Sequence, residues 1–352
     1  MAKFKVVMVK HGYGSTKIEA GIVTAAGGEF IDVDSLPEAD GWRLCEEADA
    51  ILVRWLRVTP ELIRRFRRCK IIVRYGVGTD NVDVDAATAA NIIVGHVPDY
   101  CFDDVSTHAI GLWIACVRAV AATHQKVAGG TWDVNPRETM FRTAGKTMGI
   151  VGLGNIGQTT ARKLAGWRMR LLGTDPFIEP EHAQALGVQL VDLDTLCRES
   201  DYITLHVPLL PETRHLINQR TLGLMKHGAI LINTARGPIV ETHALAAALS
   251  EGRLASAGLD VFEDEPLPKD SPLRRHPRVT LSDHVAWYSE ESLEELRATA
   301  TEEAVRVCTG GLPRSLANPE VLHRLGRWNE WTPNATVRWQ MKRLAKLGKS
   351  FC

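Results

Sequence analysis

The sequence predicts an α/β protein built on two parallel, doubly wound sheets. Short apolar runs rich in Val and Ile alternate with segments of helical periodicity along most of the chain, which is typical of parallel strands joined by crossover helices. A glycine-rich turn near the middle of the chain separates one apolar run from the helical segment that follows it. The length of 352 residues exceeds that of one ordinary core, so about two domains are expected.

The first hundred residues predict a small parallel α/β domain. Its strands are expected at Phe4–Val9, Ala48–Val53, Lys70–Arg74 and Ile92–Gly95. The pair Thr59–Pro60 predicts a helix that continues to Arg67, because a capping hydroxyl is followed by proline at the first helical position. Residues 22–40 predict surface connections with one helix at most. A helix is also expected from Asp85 to Ala90.

The middle of the chain predicts a second and larger sheet. Residues 103–128 predict one long helix that is apolar on nearly every side and therefore buried between domains or subunits. Six or seven parallel strands are expected in a Rossmann-like sheet, with helices near 192–199, 218–226 and 241–251. The predicted strands include Met169–Gly173, Val188–Val191, Tyr202–Val207, Ala229–Asn233, Ala257–Phe262 and Val279–Leu281.

A final long helix, predicted from Ser289 to Thr309, can return the chain to the first domain. The predicted organisation is therefore a doubly wound domain of residues 103–290 inserted into a smaller, discontinuous domain of residues 1–102 and 291–352. The tail carries apolar and basic residues at helical spacing, which favours a helix packed on its own or a neighbouring subunit; a membrane or nucleic-acid contact is the weaker alternative. The apolar residues are Trp328, Trp331, Val337, Trp339, Met341, Leu344 and Leu347, and the basic residues are Arg338, Lys342, Arg343, Lys346 and Lys349.

The glycine turn has the spacing of a dinucleotide site. Gly152, Gly154 and Gly157 form the pattern G-x-G-x-x-G between a strand and a helix, so a pyrophosphate can approach the backbone at the helix N-terminus. Asp175 ends the next predicted strand, 23 positions beyond Gly152 and close to the spacing of about 20 expected for the acid that binds the ribose. A carboxylate repels a 2′-phosphate, so the sequence favours NAD over NADP.

Composition excludes several other classes of protein. Lys plus Arg and Asp plus Glu both total 42, and a net charge of zero argues against a general nucleic-acid surface. The seven cysteines form no C-x-x-C pair, which favours free thiols in a reducing cytoplasm over disulfides or a zinc site, and no metal is expected. The sequence contains no apolar run of about 18 residues, and its start is too weakly apolar for a signal peptide, so no membrane partner is expected.

Three polar residues follow predicted strands at the carboxyl edge of the larger sheet, where open α/β folds bind ligands. Arg236 offers a planar charged fork for a carboxylate and a neighbouring carbonyl. His284 can transfer a proton near neutral pH, and Glu265, if it lies beside the ring, would orient it and favour the imidazolium. Beside a dinucleotide site, this set suits hydride transfer between nicotinamide and C2 of a 2-keto or 2-hydroxy acid.

The motifs GLGNIG, NTARG, LDVFEDEP and DHVAW, together with Asp175, resemble the D-isomer-specific 2-hydroxyacid dehydrogenase family over roughly residues 48–316. The resemblance implies that Arg236, Glu265 and His284 are catalytic and that the enzyme is a homodimer acting on a small 2-keto or 2-hydroxy acid. It implies that the substrate contacts are Arg74, Tyr75, Gly76, Val77, Gly78, Arg236, His284 and Trp287. It implies that NAD is held by Gly152, Gly154, Asn155, Ile156, Gly157, Asp175, His206, Val207, Pro208, Thr234, Ala235, Arg236, Asp260 and His284.

Within the family, DHVAWYSEES and IIVRYGVGTDNVDV are closest to the C-terminal-binding protein branch, in which a tryptophan at the position of Trp287 lines the substrate pocket. That branch leaves a second function open, a transcriptional corepressor that senses NAD. A third alternative, a related dehydrogenase of formate or phosphite, is disfavoured by Glu265. The substrate also stays open, because Tyr75, Trp55 and Trp287 favour a bulky side chain whereas Arg54, Arg57 and Arg74 favour a second anionic group.

Overall fold

The computed structural model describes residues 2–134 and 140–332, and it confirms the predicted α/β class. The chain falls into two compact units, one formed by Met1–Tyr100 with Ser289–Cys352 and the other by Cys101–Tyr288. We call these the terminal unit and the inserted unit. Each unit contains one wholly parallel sheet, of five and seven strands respectively.

The terminal unit holds the five-stranded sheet in the order β2-β1-β3-β4-β5. Its strands are β1 (Lys5–Val9), β2 (Glu29–Asp32), β3 (Ala50–Val53), β4 (Ile71–Arg74) and β5 (Ile93–His96). Its first helices are α1 (Lys17–Ala25), α2 (Glu38–Glu46), α3 (Pro60–Ile63) and α4 (Val84–Ala89). Strand β3 lies at the centre of the sheet and is buried along its whole length, which explains why all four of its residues are apolar.

The predictions for two segments of this unit were wrong. Residues 22–40 form the end of α1, the strand β2 and the start of α2 instead of surface connections; β2 was missed because it is a four-residue edge strand with a polar residue at each end. Helix α3 starts at Pro60 under a Thr59 cap, but it ends at Ile63 rather than Arg67. After α3 the backbone is closed by hydrogen bonds between residues three apart, such as that from the N–H of Phe66 to the carbonyl of Ile63. This tighter turn leaves the side chain of Phe66 buried.

The inserted unit holds the seven-stranded sheet in the order β12-β11-β10-β9-β6-β7-β8. Its strands are β6 (Thr147–Val151), β7 (Arg170–Thr174), β8 (Val188–Leu190), β9 (Tyr202–Leu205), β10 (Ala229–Asn233), β11 (Leu254–Leu259) and β12 (Val279–Leu281). Its helices are α5 (Phe102–Val117), α6 (Val120–Ala128), α7 (Asn155–Leu164), α8 (Pro180–Ala185), α9 (Leu193–Glu199), α10 (Gln219–Leu224) and α11 (Thr242–Ser250). The strand order reverses at β6, so the carboxyl end of β6 is the switch point at which such sheets bind ligands.

Residues 103–128 form two helices rather than the single helix predicted. The chain turns by 62° between α5 and α6, where Ala119 adopts a left-handed φ of 48°. Helix α5 buries Trp113 and Leu112 against the sheet, whereas α6 has no buried residue. The first helix is therefore part of the core, and the second lies at the surface of the unit. Across the described residues, no single helix is long and apolar enough to cross a membrane, although the bent pair α5–α6 reaches that length and composition when taken together.

The chain re-enters the terminal unit through α12 (Glu290–Cys308), followed by the short α13 (Val321–Arg324). Ser289 and Ser292 cap the start of α12 reciprocally, at the position the sequence predicted. The described part of the tail packs on this unit, with Trp328 stacked on His323 at 4.0 Å. The predicted helical pattern at Val337, Trp339 and Met341 lies outside the described residues.

Candidate active site

The glycine turn after β6 is shaped to admit a phosphate. Gly152 has a φ of 92°, and a Cβ there would lie 2.8 Å from the backbone of His206. A Cβ on Gly157 would lie 2.0 Å from the carbonyl oxygen of Gly152. Gly154 is the N-cap of α7, whose first turn contains no acidic residue to compete for its N–H groups. The backbone of this turn therefore fits the pyrophosphate of a dinucleotide.

Asp175 lies at the end of β7 and is bonded to the glycine turn itself. One carboxylate oxygen accepts the N–H of Leu153 at 2.8 Å, and the other accepts the N–H of Phe177 at 2.8 Å. Each carboxylate oxygen has a second lone pair, so the acid can also accept hydrogen bonds from ribose hydroxyls. Asp175 thus fixes the turn and presents negative charge at the place where an adenosine ribose is expected.

Asn155 and Ile156, also predicted to contact a dinucleotide, are the first two residues of α7. Most of the other predicted contacts follow β9, β10 and β11, and His284 follows β12, so they share one sheet edge. Burial lowers the pKa of His206 to about 4, so its ring is neutral at pH 7; its Nε2 lies 3.1 Å from the hydroxyl of Thr204. The hydroxyl of Thr234 is buried and has no hydrogen-bond partner among the described residues. A buried hydroxyl of this kind is normally satisfied, so its position fits a polar ligand atom. Val207, Pro208 and Ala235 lie beside these residues in the same loops.

His284 and Glu265 form a short, directed pair. Nδ1 of His284 lies 2.7 Å from Oε2 of Glu265, and Oε1 of Glu265 accepts the N–H of Phe262 at 2.9 Å. Burial alone would raise the pKa of Glu265, but the bond and charge of His284 and the Phe262 N–H outweigh burial and lower it below the ordinary value. Because an ionised carboxylate only accepts hydrogen bonds, Nδ1 carries a proton and Nε2 is the nitrogen left for chemistry.

Asp260 holds the loop that carries His284. Its carbonyl accepts the N–H of His284 at 2.8 Å, and its fully buried carboxylate accepts the N–H groups of Val285 and Ala286 at 3.0 and 2.9 Å. The hydroxyl of Ser282 adds a bond of 2.6 Å. This positioning role was missed from the sequence, where Asp260 was expected only as a cofactor contact. The available signal was an acid placed directly after an apolar strand.

Arg236 begins the turn between β10 and α11. Asn233 stabilises this turn, since its side chain donates to the carbonyl of Arg236 at 3.0 Å and accepts the N–H of Ala235 at 3.0 Å. Nη1 of Arg236 donates to the carbonyl of Ala235 at 2.7 Å. The charge of Arg236 also contributes to the lowered pKa of Glu265, which places the guanidinium in the electrostatic field of the His284–Glu265 pair.

Trp287 lies three residues after His284 and is half-buried. Its indole N–H donates to the carbonyl of His284 at 3.0 Å, and its ring meets Tyr288 edge-on at 5.5 Å between centroids. The indole therefore braces the same turn that gives His284 its left-handed φ of 58°. A non-glycine residue in that conformation costs on the order of 1–3 kcal/mol and is maintained by its surroundings.

In the terminal unit, the predicted substrate residue Arg74 is the last residue of β4, and residues 75–78 form the bend that follows it. The guanidinium of Arg74 covers Gly76, where a Cβ would lie 1.7 Å from Nη1, and Gly76 has a φ of 132°. Nδ1 of His96 lies 2.8 Å from the carbonyl of Val77. The ring of Tyr75 is buried in the core, with its hydroxyl 3.4 Å from Glu19, and its backbone N–H donates to the carbonyl of Val53 at 2.9 Å, so neither the ring nor the N–H is presented to a ligand. Gly78 belongs to this bend and is partly buried.

One cluster in the terminal unit has the composition of a metal site. His11, Asp32 and Asp34 bring their ligand atoms within 4.8 Å of one another, and no other such group occurs among residues 2–134 and 140–332. Nδ1 of His11 accepts the N–H of Tyr13, so Nε2 carries the proton that it donates to Asp32 at 3.0 Å. Asp34 accepts the N–H groups of Lys10 and His11. The polar groups of this cluster are therefore bonded to one another and to nearby backbone N–H groups. The absence of a metal stays a prediction.

Comparisons with known proteins agree with this geometry. The family model for the NAD binding domain of D-isomer specific 2-hydroxyacid dehydrogenases matches residues 110–286. A D-3-phosphoglycerate dehydrogenase from Methanocaldococcus jannaschii is 39% identical over 275 residues, which are 78% of this chain and 52% of that protein. The chain therefore spans about half the length of this relative.

Two further proteins resemble the chain over more of their own length. A glyoxylate reductase from Thermofilum pendens is 39% identical over 284 residues, covering 79% of this chain and 81% of that protein. A D-lactate dehydrogenase from Aquifex aeolicus, crystallised with NAD and lactic acid, superposes with a TM-score of 0.76 at 27% identity and covers 93% of this chain and 97% of that one.

Proposed function

This chain belongs to the D-isomer specific 2-hydroxyacid dehydrogenase family, and we therefore propose that it interconverts a 2-keto acid and a D-2-hydroxy acid by hydride transfer with NAD. The observation that carries the proposal is the 2.7 Å bond between His284 and Glu265. It lies on loops at the same sheet edge as the glycine turn that fits a dinucleotide. Family membership supplies the cofactor class, and this pair supplies the acid–base group.

The residues have complementary roles in the proposed reduction. Bound NADH supplies the hydride to C2 of the keto acid. Nε2 of His284 gives its proton to the keto oxygen, while Glu265 holds Nδ1 and stabilises the imidazolium that carries that proton. Arg236 binds the substrate carboxylate and polarises the carbonyl through its planar fork. In the oxidation direction, Nε2 takes the proton from the hydroxyl group.

The substrate residues are part of the same proposal. Arg74 offers charge and the backbone of residues 76–78 offers N–H groups to the substrate carboxylate, while the N–H of Tyr75 is held by the carbonyl of Val53. Trp287 offers an apolar wall. Arg54 supports a second anionic group on the substrate, because its partly buried guanidinium lies over the rings of Tyr13 and Trp55 at 4.6 and 4.5 Å. Since Tyr75 has its ring in the core, the case for a bulky aromatic substrate is weaker.

A panel of 2-keto acids tests the activity and the substrate class together. NADH oxidation is followed for the wild-type protein with keto acids bearing no side chain, an alkyl, an aromatic, a carboxylate or a phosphate group. The expected result is turnover that is fastest with a second anion, and that preference should disappear in Arg54→Met. No turnover with any keto acid, in the presence of demonstrated NADH binding, would overturn the enzyme proposal.

We also propose a branch of the family for this chain. The proposal is supported by Trp287, whose indole N–H donates to the carbonyl of His284. We place the chain nearest the C-terminal-binding protein branch, which keeps an NAD-sensing corepressor as the second candidate function. Binding of a peptide with the sequence Pro-Asp-Leu-Ser, measured with and without NADH, separates the two. Tight binding without keto acid turnover favours the corepressor; turnover without binding favours the enzyme.

The remaining proposals concern organisation. We assign residues 103–290 as the NAD-binding domain and residues 1–102 with 291–352 as the substrate domain, and we propose a cytoplasmic homodimer without nucleic-acid or membrane partners. The six described cysteines are free thiols, which suits a reducing compartment. Exposed apolar side chains near α6 support association with a second copy: Val120, Val127, Trp132, Val134 and Phe141. Sedimentation at several concentrations tests the dimer.

A further inference from the structure

A second histidine–glutamate pair shares one loop with the first through its glutamate. Nε2 of His215 is 2.6 Å from Oε1 of Glu263, and Glu263 precedes Glu265 by two residues. Side-chain exposures are 37% for His215 and 23% for Glu263, so the pair is only partly shielded. An exposed ion pair of this kind usually contributes little, so its importance depends on what else the two residues hold.

Both members of the pair also bind the segment that follows Arg236. The N–H of His215 donates to the carbonyl of Pro238 at 2.8 Å. The other carboxylate oxygen of Glu263 accepts the N–H of Thr242 at 2.7 Å, at the first residue of α11. The segment 237–242 is therefore held near its start by the backbone of His215 and at its end by Glu263.

The same segment is pressed against the loop of Glu263. A Cβ on Gly237 would lie 1.8 Å from the backbone carbonyl of Phe262 and 2.5 Å from the N–H nitrogen of Glu263. Between the two ends, the N–H of Ile217 donates to the carbonyl of Ile239, and Ile217 accepts from Glu241. Three chain segments thus meet at the turn of Arg236, and the His215–Glu263 bond joins two of them through side chains.

The conformation of His215 also indicates constraint. Its φ of 50° lies in the left-handed region, which favours glycine or asparagine over histidine. Burial raises the pKa of Glu263, but hydrogen bonds from Thr242 and His215 lower it overall, so the carboxylate is ionised at neutral pH and its bonds are charge-assisted. A histidine thus occupies a costly backbone position at which its ring reaches an ionised carboxylate.

We propose that His215 and Glu263 are positioning residues that fix the Arg236 turn in the orientation required to bind the substrate carboxylate. The inference rests on the proposed function, since Arg236 is the residue that meets the substrate. Neither side chain is assigned a contact with substrate or cofactor. Their effect is therefore transmitted through the backbone from 237 to 242.

The test compares variants that separate the ring from the backbone. His215→Gly keeps the left-handed turn without strain and removes the ring, whereas His215→Gln restores a donor near the position of Nε2. Glu263→Gln removes the charge. Glu199→Gln is the matched control, because it removes one carboxylate from the Arg170–Glu199 pair, a 2.7 Å surface ion pair elsewhere in the inserted unit.

The expected result is a KM for the best keto acid raised about tenfold in His215→Gly and Glu263→Gln, with partial recovery in His215→Gln. The kcat should fall less than KM rises, and the Kd for NADH should stay within about twofold. Glu199→Gln should match wild type. A merely structural role predicts a lower unfolding midpoint with an unchanged KM, and that outcome would overturn the proposal.

Hydrogen exchange separates this inference from the proposed function. Amide protons of segment 237–242 should exchange about tenfold faster in His215→Gly than in wild type, with or without turnover. If the wild-type protein turns over no keto acid but exchange still accelerates, the proposed function fails and the positioning contact stands. If exchange is unchanged in His215→Gly and Glu263→Gln, the positioning proposal fails by itself.

Discussion

The two histidine–glutamate pairs of the inserted unit are nearly identical in their local dimensions. His284–Glu265 measures 2.7 Å and His215–Glu263 measures 2.6 Å, and both histidines have left-handed φ values, 58° and 50°. The pairs differ in which ring nitrogen is bonded. His284 is bonded through Nδ1, which leaves Nε2 for the proposed proton transfer, whereas His215 is bonded through Nε2, the outer nitrogen of the ring.

The two carboxylates also use their second oxygens differently. Glu265 binds the N–H of Phe262 within its own loop, so the pair is held as a local unit beside Arg236. Glu263 binds the N–H of Thr242, so its pair joins separate segments. The same two residue types therefore leave a ring nitrogen for the proposed acid–base chemistry in one place and connect backbone segments in the other. The choice of nitrogen, rather than the length of the bond, indicates which role a pair can have.

The largest expected difference between the pairs is in kcat. His284→Asn, which tolerates the left-handed backbone, and His284→Gln should each lower kcat about 10²- to 10⁴-fold, because the proton donor is lost. His215→Gln should stay within about threefold of wild type in kcat. Steady-state rates, with NADH binding measured by fluorescence as the control, test this. Wild-type kcat in the His284 variants would refute the assignment of proton transfer.

Asp260→Asn should affect only the first pair. The amide NH₂ cannot accept the N–H of Val285 or Ala286, so the His284 turn loses one bond and kcat should fall about 10- to 100-fold. The Kd for NADH should change less than about threefold if positioning is the main role of Asp260. A large rise in that Kd with an unchanged kcat would favour the cofactor contact implied by the family instead.

Asp175→Ala should leave both histidine–glutamate pairs intact and change only the relative affinities for NADH and NADPH. Loss of the carboxylate removes acceptors for the ribose hydroxyls and the repulsion of a 2′-phosphate, so the affinity for NADH should fall about tenfold while that for NADPH falls less or rises. Titration with each reduced cofactor measures the ratio. A greater loss for NADPH than for NADH would contradict the proposed cofactor preference.

The smallest expected effect is on stability at acidic pH. The pKa values of Glu263 and Glu265 are both lowered in the folded state, so each carboxylate stabilises the fold above the ordinary glutamate pKa, and this contribution is lost as the pH falls through the lowered values. Glu265→Gln and Glu263→Gln should therefore flatten the loss of stability below about pH 4.5. Unfolding midpoints from pH 7 to pH 3, with Glu199→Gln for comparison, test the sign.

Much of the fold was predictable because buried parallel strands carry their own pattern. Strand β3 is a continuous apolar run, Ala-Ile-Leu-Val, and the glycine turn stands between a strand and a helix as its chemistry requires. Strand β2 was not predictable, since an edge strand with polar ends has no such pattern. The break at Ala119 depends on where packing against the sheet ends, which a continuous apolar sequence does not reveal.

The motifs predicted that Glu265 would lie beside His284, and the structure brings the two together, whereas the pairing of Glu263 with His215 was not predicted. The segment Glu263-Asp264-Glu265 contains two glutamates, and nothing in the local sequence assigned Glu263 to His215. That assignment depends on the order of β9, β10 and β11 in the sheet. The expectation that Tyr75 favours a bulky substrate side chain was wrong for a similar reason. Its ring lies in the core beside Glu19, a residue 56 positions away that the local sequence does not reveal.

The spacing between Glu263 and Glu265 has a consequence for insertions and deletions. The two carboxylates reach different histidines from one loop, and only Asp264 separates them. Removing Asp264, or adding one residue beside it, would shift one glutamate relative to the other. At least one histidine would then lose its carboxylate, although both glutamates and both histidines would still be present. Changes of length in this region should therefore be tolerated only beyond Pro266, and the loop between β11 and Pro266 should behave as a segment of fixed length.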